Sequence, residues 1–564
     1  MKKLCTALTL LVTALLFSQQ GFAQRLLDTA NFTISAEIKP SDFPEWPNGT
    51  AAWRVYGTYD LDKDGKKEFL VIVDPTTTSA TDTGMAKILR FEATANNTYE
   101  LVWNAQIPYM QITKGSWPCL AVGDVDKDGN MEIFYGQPSD QRTTGDPNPD
   151  RIFIYEYDPG VGNFPTVPTM TSKLQFPDRY YYAITSIVLD DVDNDGDVEM
   201  ILSARRAYGG GWGNSSLRPL FIYHLLGDIS PGFSSFEVEF ADTLGTFNGG
   251  YYFNNHVVDF DGDGKKEIWG FTWDMLAFAV YEAQGKDTYT LQTDVNQATA
   301  PDDYGEQNSV GFFDANKDGK LEMFLAGQVS PPSAVFYLPN TNNLSSITTS
   351  SIKWLTSPLP LNFQGADIGD INGDGEVDFF IGDWGADRKV YRLKHLPGKP
   401  YDDSTGYKLD TLFHAPNDSN YSLVNVTVCN DLDGDGKREV IIVNTDVRAD
   451  HPEDVSLFII ESKVAVQSVR TLPEIIPTQF SLEQNYPNPF NPSSTIRFSL
   501  TAAANVELFV TNSIGQRVAT LLKRSMDKGV HEVTFNADGL ASGTYFYTLK
   551  ADNYTQTKKM MIMK

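Results

Sequence analysis

The chain reads as all-β, a seven-bladed β-propeller with calcium loops followed by a small immunoglobulin-like β-sandwich. Three observations predict it. A short carboxylate-rich pattern recurs seven times between residues 60 and 442, each copy is bracketed by short apolar strands, and after about residue 470 the text changes to alternating segments punctuated by proline.

The repeated pattern sets oxygen-bearing side chains at alternate positions, then glycine, then an acid three residues on. Its copies are Asp60, Asp62, Asp64 and Glu68; Asp124, Asp126, Asp128 and Glu132; Asp191, Asp193, Asp195 and Glu199; and Asp259, Asp261, Asp263 and Glu267. Three more stand at Asp314, Asn316, Asp318 and Glu322; Asp370, Asn372, Asp374 and Asp378; and Asp431, Asp433, Asp435 and Glu439. Side chains at loop positions 1, 3 and 5 wrap one Ca²⁺, an ion that takes about six to eight oxygen ligands, while glycine at position 6 permits the sharp bend. Asp, Asn and Gly also mark ordinary turns. That reading explains one copy and not seven with the same spacing, so up to seven Ca²⁺ ions are expected, bound more weakly at the loops carrying Asn316 and Asn372.

The closing acid distinguishes this loop from an EF-hand, which closes at position 12 between two helices. Here position 12 holds Val71, Tyr135, Leu202, Gly270, Leu325, Ile381 and Ile442, so the closing ligand is the acid at position 9. The segment beyond that acid is rich in β-branched and aromatic residues and too short for a helix, as at residues 69–73 and 440–443. The loop therefore sits in a β-hairpin.

The first aspartates stand at 60, 124, 191, 259, 314, 370 and 431, a spacing that suits one four-stranded blade per repeat. A short apolar strand precedes each loop, as at 120–122, 187–189 and 426–428. A third strand recurs about twenty residues beyond it, at 152–155, 220–223, 278–281, 335–337, 390–391 and 457–460. A more amphipathic fourth comes after it, as at 236–240 and 289–292. The outer strand of the last blade is either residues 32–38 or residues 464–469; the pattern leaves both open.

The aspartate loops with their flanking strands, over roughly residues 25–470, resemble the FG-GAP or VCBS-type repeats of integrin-α-like propellers. The resemblance implies a calcium-bearing propeller that serves as an interaction or adhesion module. It does not name the ligand, because fold does not name function.

The start of the chain reads as a secretory signal peptide over residues 1–23: Lys2 and Lys3, an apolar core at 8–17, and small residues before cleavage near Ala23. That core is too short to span a bilayer and no other stretch approaches ~20 apolar residues, so no transmembrane segment is expected in the mature chain. Cys5 lies ahead of the core, where a lipidated cysteine would not. Cys119 and Cys429 sit in apolar strand contexts and read as buried thiols rather than a disulfide. The net charge of −28 is concentrated in the loops, and seven divalent ions would bring it to −14. With no basic stripe to neutralise phosphates, nucleic acid is excluded as a partner.

The domains expected are the propeller over 24–470, a linker over 471–479 crowded by prolines such as Pro473 and Pro477, and a C-terminal domain over 480–564. Its alternating strands lie at 506–510, 517–521, 531–535, 545–550 and 558–563, many short strands in under ninety residues, which points to an immunoglobulin-like sandwich. The wording of residues 485–492 (NYPNPFNP), 514–518 (IGQRV), 539–545 (GLASGTY) and the ending 558–564 (KKMMIMK) resembles the C-terminal sorting domain of type IX secretion cargo. The resemblance implies passage through the periplasm, recognition by the type IX machinery, and release or attachment at the outer surface.

If the calcium loops join the first two strands of each blade, they share one face of the disc. The opposite face then collects aromatic and polar residues, among them Tyr180, Tyr181, Tyr208, Trp212, Tyr251 and Tyr252. Such rings stack on sugar faces, although glycine-and-aromatic loops also simply pack over blades. The leading expectation is a secreted or surface-displayed module binding a glycan or a surface protein, with no catalytic residue assigned. The alternatives are a polysaccharide lyase or glycosidase, with Tyr181, His256 or His451 working beside Arg179 or Arg206, and a structural surface-layer component.

Overall fold

In a computed structural model, residues 26–563 are described apart from 76–85, 108–117, 137–149, 175–180, 208–216, 230–235, 246–251, 273–276, 297–303, 317, 330–333, 356–362, 373–375, 384–387, 416–421, 448–450, 452, 464–468, 473–479, 487, 491–492, 502–503, 527–528, 538–539 and 552–553. The proposed signal peptide lies outside the described residues. The chain forms two compact units, one of Met1–Gly434 and Glu439–Ser462 and the other of Asp435–Arg438 and Lys463–Lys564.

The first unit is a run of antiparallel sheets, five of them up-and-down meanders of consecutive strands. The first sheet comprises Thr50–Tyr59, Glu68–Pro75, Lys87–Ala95 and Thr98–Gln106, and the third comprises Tyr181–Asp190, Glu199–Ala207, Leu217–Leu225 and Phe236–Gly245. Among the described residues there are seven such sheets. Their second strands are buried throughout, as in Glu132–Gly136, Glu267–Thr272 and Glu439–Asn444. Both of their faces are covered by neighbouring sheets, which is why they read as unbroken apolar runs. Fourth strands such as Thr98–Gln106 lie at the rim and alternate buried with exposed residues.

Each pair of successive sheets shares one apolar cluster. Leu70 and Ile72 of the first sheet pack with Tyr135 and Phe153 of the second; Ile201 and Ile222 of the third pack with Ile268 and Tyr281 of the fourth. The series ends where it began, because Val71 and Phe91 of the first sheet share a cluster with Ile441 and Ile459 of the seventh. The sheets therefore form a closed ring, a β-propeller.

Ring closure depends on the start of the chain. Phe32–Ile38 pairs antiparallel with Leu457–Ser462 and forms the fourth strand of the seventh sheet, while Leu26–Leu27 adds to the rim of the sixth beside Tyr407–His414. Residues 464–468 lie outside the described residues. Val469–Leu472 belongs to the second unit, where it pairs with Gly529–Asn536, so the C-terminal unit takes its first strand from ahead of the proline-rich stretch.

That second unit is a sandwich of two four-stranded antiparallel sheets around Phe498, Leu508, Val510, Tyr547 and Met560. The NYPNPFNP segment is tied to the last strand, Tyr554–Ile562: Phe490 donates its N–H to the Met561 carbonyl at 3.1 Å, and Met561 donates to Asn488 Oδ1 at 2.8 Å. Asn485 is buried and anchored by Tyr547 Oη and Ser494 Oγ, each at 2.8 Å.

Candidate metal centres

Each carboxylate loop joins the first and second strands of its sheet, so all lie at the same end of the blades. Carboxylate oxygens of Asp60, Asp62, Asp64 and Glu68 lie within 4.8 Å of one another, and the same holds for the sets beginning at Asp124, Asp191, Asp259 and Asp431. Asp314, Asp318 and Glu322 close the fifth loop around Asn316; in the sixth, Asp374 lies outside the described residues.

The backbone explains why these residue types recur. Position 6 is left-handed in every described copy, with φ of 92° at Gly65, 94° at Gly129, 98° at Gly196, 91° at Gly264, 86° at Gly319 and 88° at Gly436, a conformation that favours glycine. Position 4 is left-handed as well, at Lys63, Lys127, Asn194, Gly262 and Gly434. The turn is held by aspartates accepting backbone N–H groups: in the fourth loop Asp259 Oδ2 accepts from Gly264 at 3.1 Å and Asp263 Oδ1 from Lys265 at 2.8 Å. These bonds curl the aspartates inward.

The position-9 acid opens the second strand and is buried. In the second, third and fourth loops one of its oxygens accepts the N–H of position 2, at 2.7 Å from Val125 to Glu132, from Val192 to Glu199 and from Phe260 to Glu267. The other oxygen, Oε1, of each of these three residues is buried and takes no hydrogen bond. Burial pushes the Glu132 carboxyl up to about 9 and those of Glu199 and Glu267 up to about 8. A buried carboxylate oxygen with no donor, facing three more carboxylates, fits a hard divalent cation with oxygen ligands. The neighbouring blade also reaches these loops. Ile229 donates its N–H to Asp126 Oδ2 at 2.8 Å, and Asp287 donates to Asp193 Oδ2 at 2.6 Å.

The first and fifth loops differ. Arg90, buried on the third strand of the first sheet, places Nη2 2.5 Å from Asp62 Oδ2 and 2.8 Å from Glu68 Oε1. In the fifth, Asn316 Nδ2 donates to Glu322 Oε1 at 2.9 Å. Sequence reasoning misses the arginine, although a charged residue inside the apolar run Ile88, Leu89, Arg90, Phe91 marks it.

Of the aromatic platform, Tyr180, Tyr208, Trp212 and Tyr251 lie outside the described residues, and Tyr181 begins a strand whose side chain there is not described. Tyr252 is corrected. Its ring is fully buried between the third and fourth sheets, lying against Gly270, where any side chain would meet the ring 2.8 Å away, and beneath the Arg218 guanidinium at 5.6 Å. His256 is half-buried, against Phe271 and Phe312, and burial pushes its imidazole down to about 4. Cys119 and Cys429 are buried free thiols. At the end of the first sheet away from its carboxylate loop, a hollow of about 390 Å³ lies among Phe43, Trp46, Pro47, Lys87 and Gln106.

Residues 484–563 match the family model described as a secretion system C-terminal sorting domain. The chain thus carries an export address for the outer surface in its second unit. Among curated proteins none matches. Solved structures with similarity include the rhamnogalacturonan lyase YesW, at 15% identity and TM-score 0.41 over 74% of this chain and 72% of that one. A rhamnogalacturonan lyase of Bacillus licheniformis stands at 14% and 0.40, over 75% and 74%. PorZ, a surface component of the type IX secretion system of Porphyromonas gingivalis, stands at 11% and 0.21, over 92% and 82%. Such values carry no argument about activity. No helix among the described residues is long and apolar enough to cross a membrane.

Proposed function

We propose that the mature protein is a calcium-stapled propeller, handed to the type IX secretion machinery by its C-terminal domain and displayed at or released from the outer surface, where it binds a glycan or a surface protein without transforming it. The observation that carries the metal assignment is the buried, unpartnered Oε1 of Glu132, Glu199 and Glu267, each set among three aspartates. A bound Ca²⁺ supplies the positive charge those oxygens lack, and its energy of binding to the folded loop is folding energy. All the metal loops lie at one end of the blades, and the segments that follow the second and fourth strands lie toward the other. In the sequence those segments carry Tyr208, Trp212 and Tyr251, and recognition is assigned there because loops on a rigid scaffold are where binding residues concentrate.

The test incubates the secreted protein with a panel of polysaccharides and surface-protein extracts, and reads both retention and chain length. Retention in calcium with no shortening of the polymer is expected. Release of oligosaccharides would replace the binding module with an enzyme, and neither retention nor release would favour a structural surface component.

A further inference from the structure

Resting on the calcium reading of these loops, we infer that the first is closed by an internal arginine in place of a metal ion, so the propeller takes no more than six Ca²⁺. Arg90 closes that loop, and one other sheet, the sixth, carries an arginine, Arg392, at the same place. Arg90 pairs with Leu70, two residues beyond the closing acid Glu68, and Arg392 pairs with Phe380, two residues beyond the closing acid Asp378. At the matching position the other sheets carry Ile154, Ile222, Val280, Tyr337 and Ile459, none of which brings a positive charge into the blade.

Both guanidiniums are buried, and each reaches its closing acid: Arg90 Nη2 lies 2.8 Å from Glu68 Oε1, and Arg392 Nη2 holds Asp378 Oδ2. Each is also held over an aromatic ring of the following sheet, Arg90 5.8 Å from the centroid of Phe164 and Arg392 5.2 Å from that of Phe32. The oxygen that Arg90 takes in the first loop is the counterpart of the one left without a donor in the second, third and fourth. Arg90 also takes Asp62 Oδ2, at 2.5 Å, where Asp126 and Asp193 accept a backbone N–H from the next blade instead. With Ca²⁺ seated about 2.3–2.6 Å from its oxygens, a guanidinium nitrogen bonded to two of the same ligands leaves no room for the ion and repels it.

Native mass spectrometry of the secreted full chain, titrated with CaCl₂, tests this. At most six ions are expected; Asp62→Ala should leave the count unchanged, whereas Asp193→Ala should lower it by one. Arg90→Leu, which makes the first loop resemble the second, should raise the count by one. A count that falls by one in Asp62→Ala overturns the inference while leaving the calcium reading intact, as does a folded Arg90→Leu protein that gains no ion. No specific calcium in any variant overturns both.

Discussion

The backbone N–H of Asn97 donates to Asp433 Oδ2 across 2.7 Å, joining residues 336 positions apart. Asn97 sits left-handed, at φ 55°, in the outer hairpin of the first sheet, and Asp433 is the position-3 acid of the seventh loop. The contact repeats the bond from Asp287 to Asp193 between the third and fourth sheets, but here it spans the seam at which the ring closes. A cation that orders Asp433 therefore also orders the seam.

Calcium should raise the melting temperature and a chelator lower it. A ligand present at a hundredfold its dissociation constant adds about 2.7 kcal/mol per site that binds only the folded chain. Differential scanning fluorimetry in CaCl₂ and in EGTA measures it, and Asp433→Ala should give up more of the calcium-dependent gain than Asp318→Ala, because only the former also loses an inter-blade bond. An unchanged melting temperature and protease resistance in EGTA would remove calcium from the account.

Without the ion, pH dependence should run opposite to ordinary acid denaturation. Burial holds the Glu132, Glu199 and Glu267 carboxyls at about 8 to 9, well above their usual value of 4.5. The folded chain therefore binds more protons than the unfolded chain between those limits, and its stability falls as pH rises through them. In EGTA the melting temperature at pH 5.5 should exceed that at pH 8.5. Calcium, by holding the carboxylates ionised, should abolish or reverse the difference. A rise with pH in EGTA would mean that the buried acids are already compensated.

Phe32 joins the strand that completes the seventh sheet to the ring that covers Arg392. With 1% of its surface exposed, Phe32→Ala should cost about 3–5 kcal/mol, the usual range for a buried aromatic truncated to alanine. Urea unfolding would measure the loss. Early clipping near residue 38 under limited proteolysis would place it at the seam.

Truncation after Ser462 should leave a folded propeller that stays inside the cell envelope, since the export address matches residues 484–563. The cut belongs there rather than at Phe480, because Val469–Leu472 is an edge strand of the C-terminal sandwich and would be left unpaired. Cell fractionation with a calcium-binding assay on the retained protein checks both halves. Normal surface levels of the truncated chain would remove the sorting role.

Features whose cause is local were legible in the sequence, and those made by distant pairing were not. The loop at Asp259 announces itself because ligand spacing, left-handed glycine and closing acid lie within nine residues. The strands beyond Glu132 and Glu439 are equally plain, since burial on both faces demands an unbroken apolar run. The pairing of Ile34 with Ile460 has no local signature, and neither does the placement of Arg90 opposite Leu70, which depends on the register of a strand some twenty residues away. Tyr252 misled because an aromatic beside glycine and asparagine looks like a surface loop. A register shift between Tyr252 and Asn254, together with the slot left by Gly270, turns its ring inward.

That inward turn separates two classes of aromatic residue on the propeller and makes the recognition proposal testable. Tyr252 is buried at 0% exposure and packs with Ile201, Ile222 and Ile268, so Tyr252→Ala should cost about 3–5 kcal/mol of stability, while the protein that remains folded retains glycan normally. Trp212, in the platform assigned from sequence, should behave in the opposite way. Trp212→Ala is expected to leave the melting temperature within a degree or two of the parent, and to weaken retention on whichever polysaccharide is bound by about 1–3 kcal/mol, the loss of a principal contact. Melting curves and affinity electrophoresis on the same two proteins give all four values. If Trp212→Ala melts early and binds normally, it is a packing residue like Tyr252, and recognition has to be sought elsewhere on that face, beginning with the hollow beside Trp46 and Lys87.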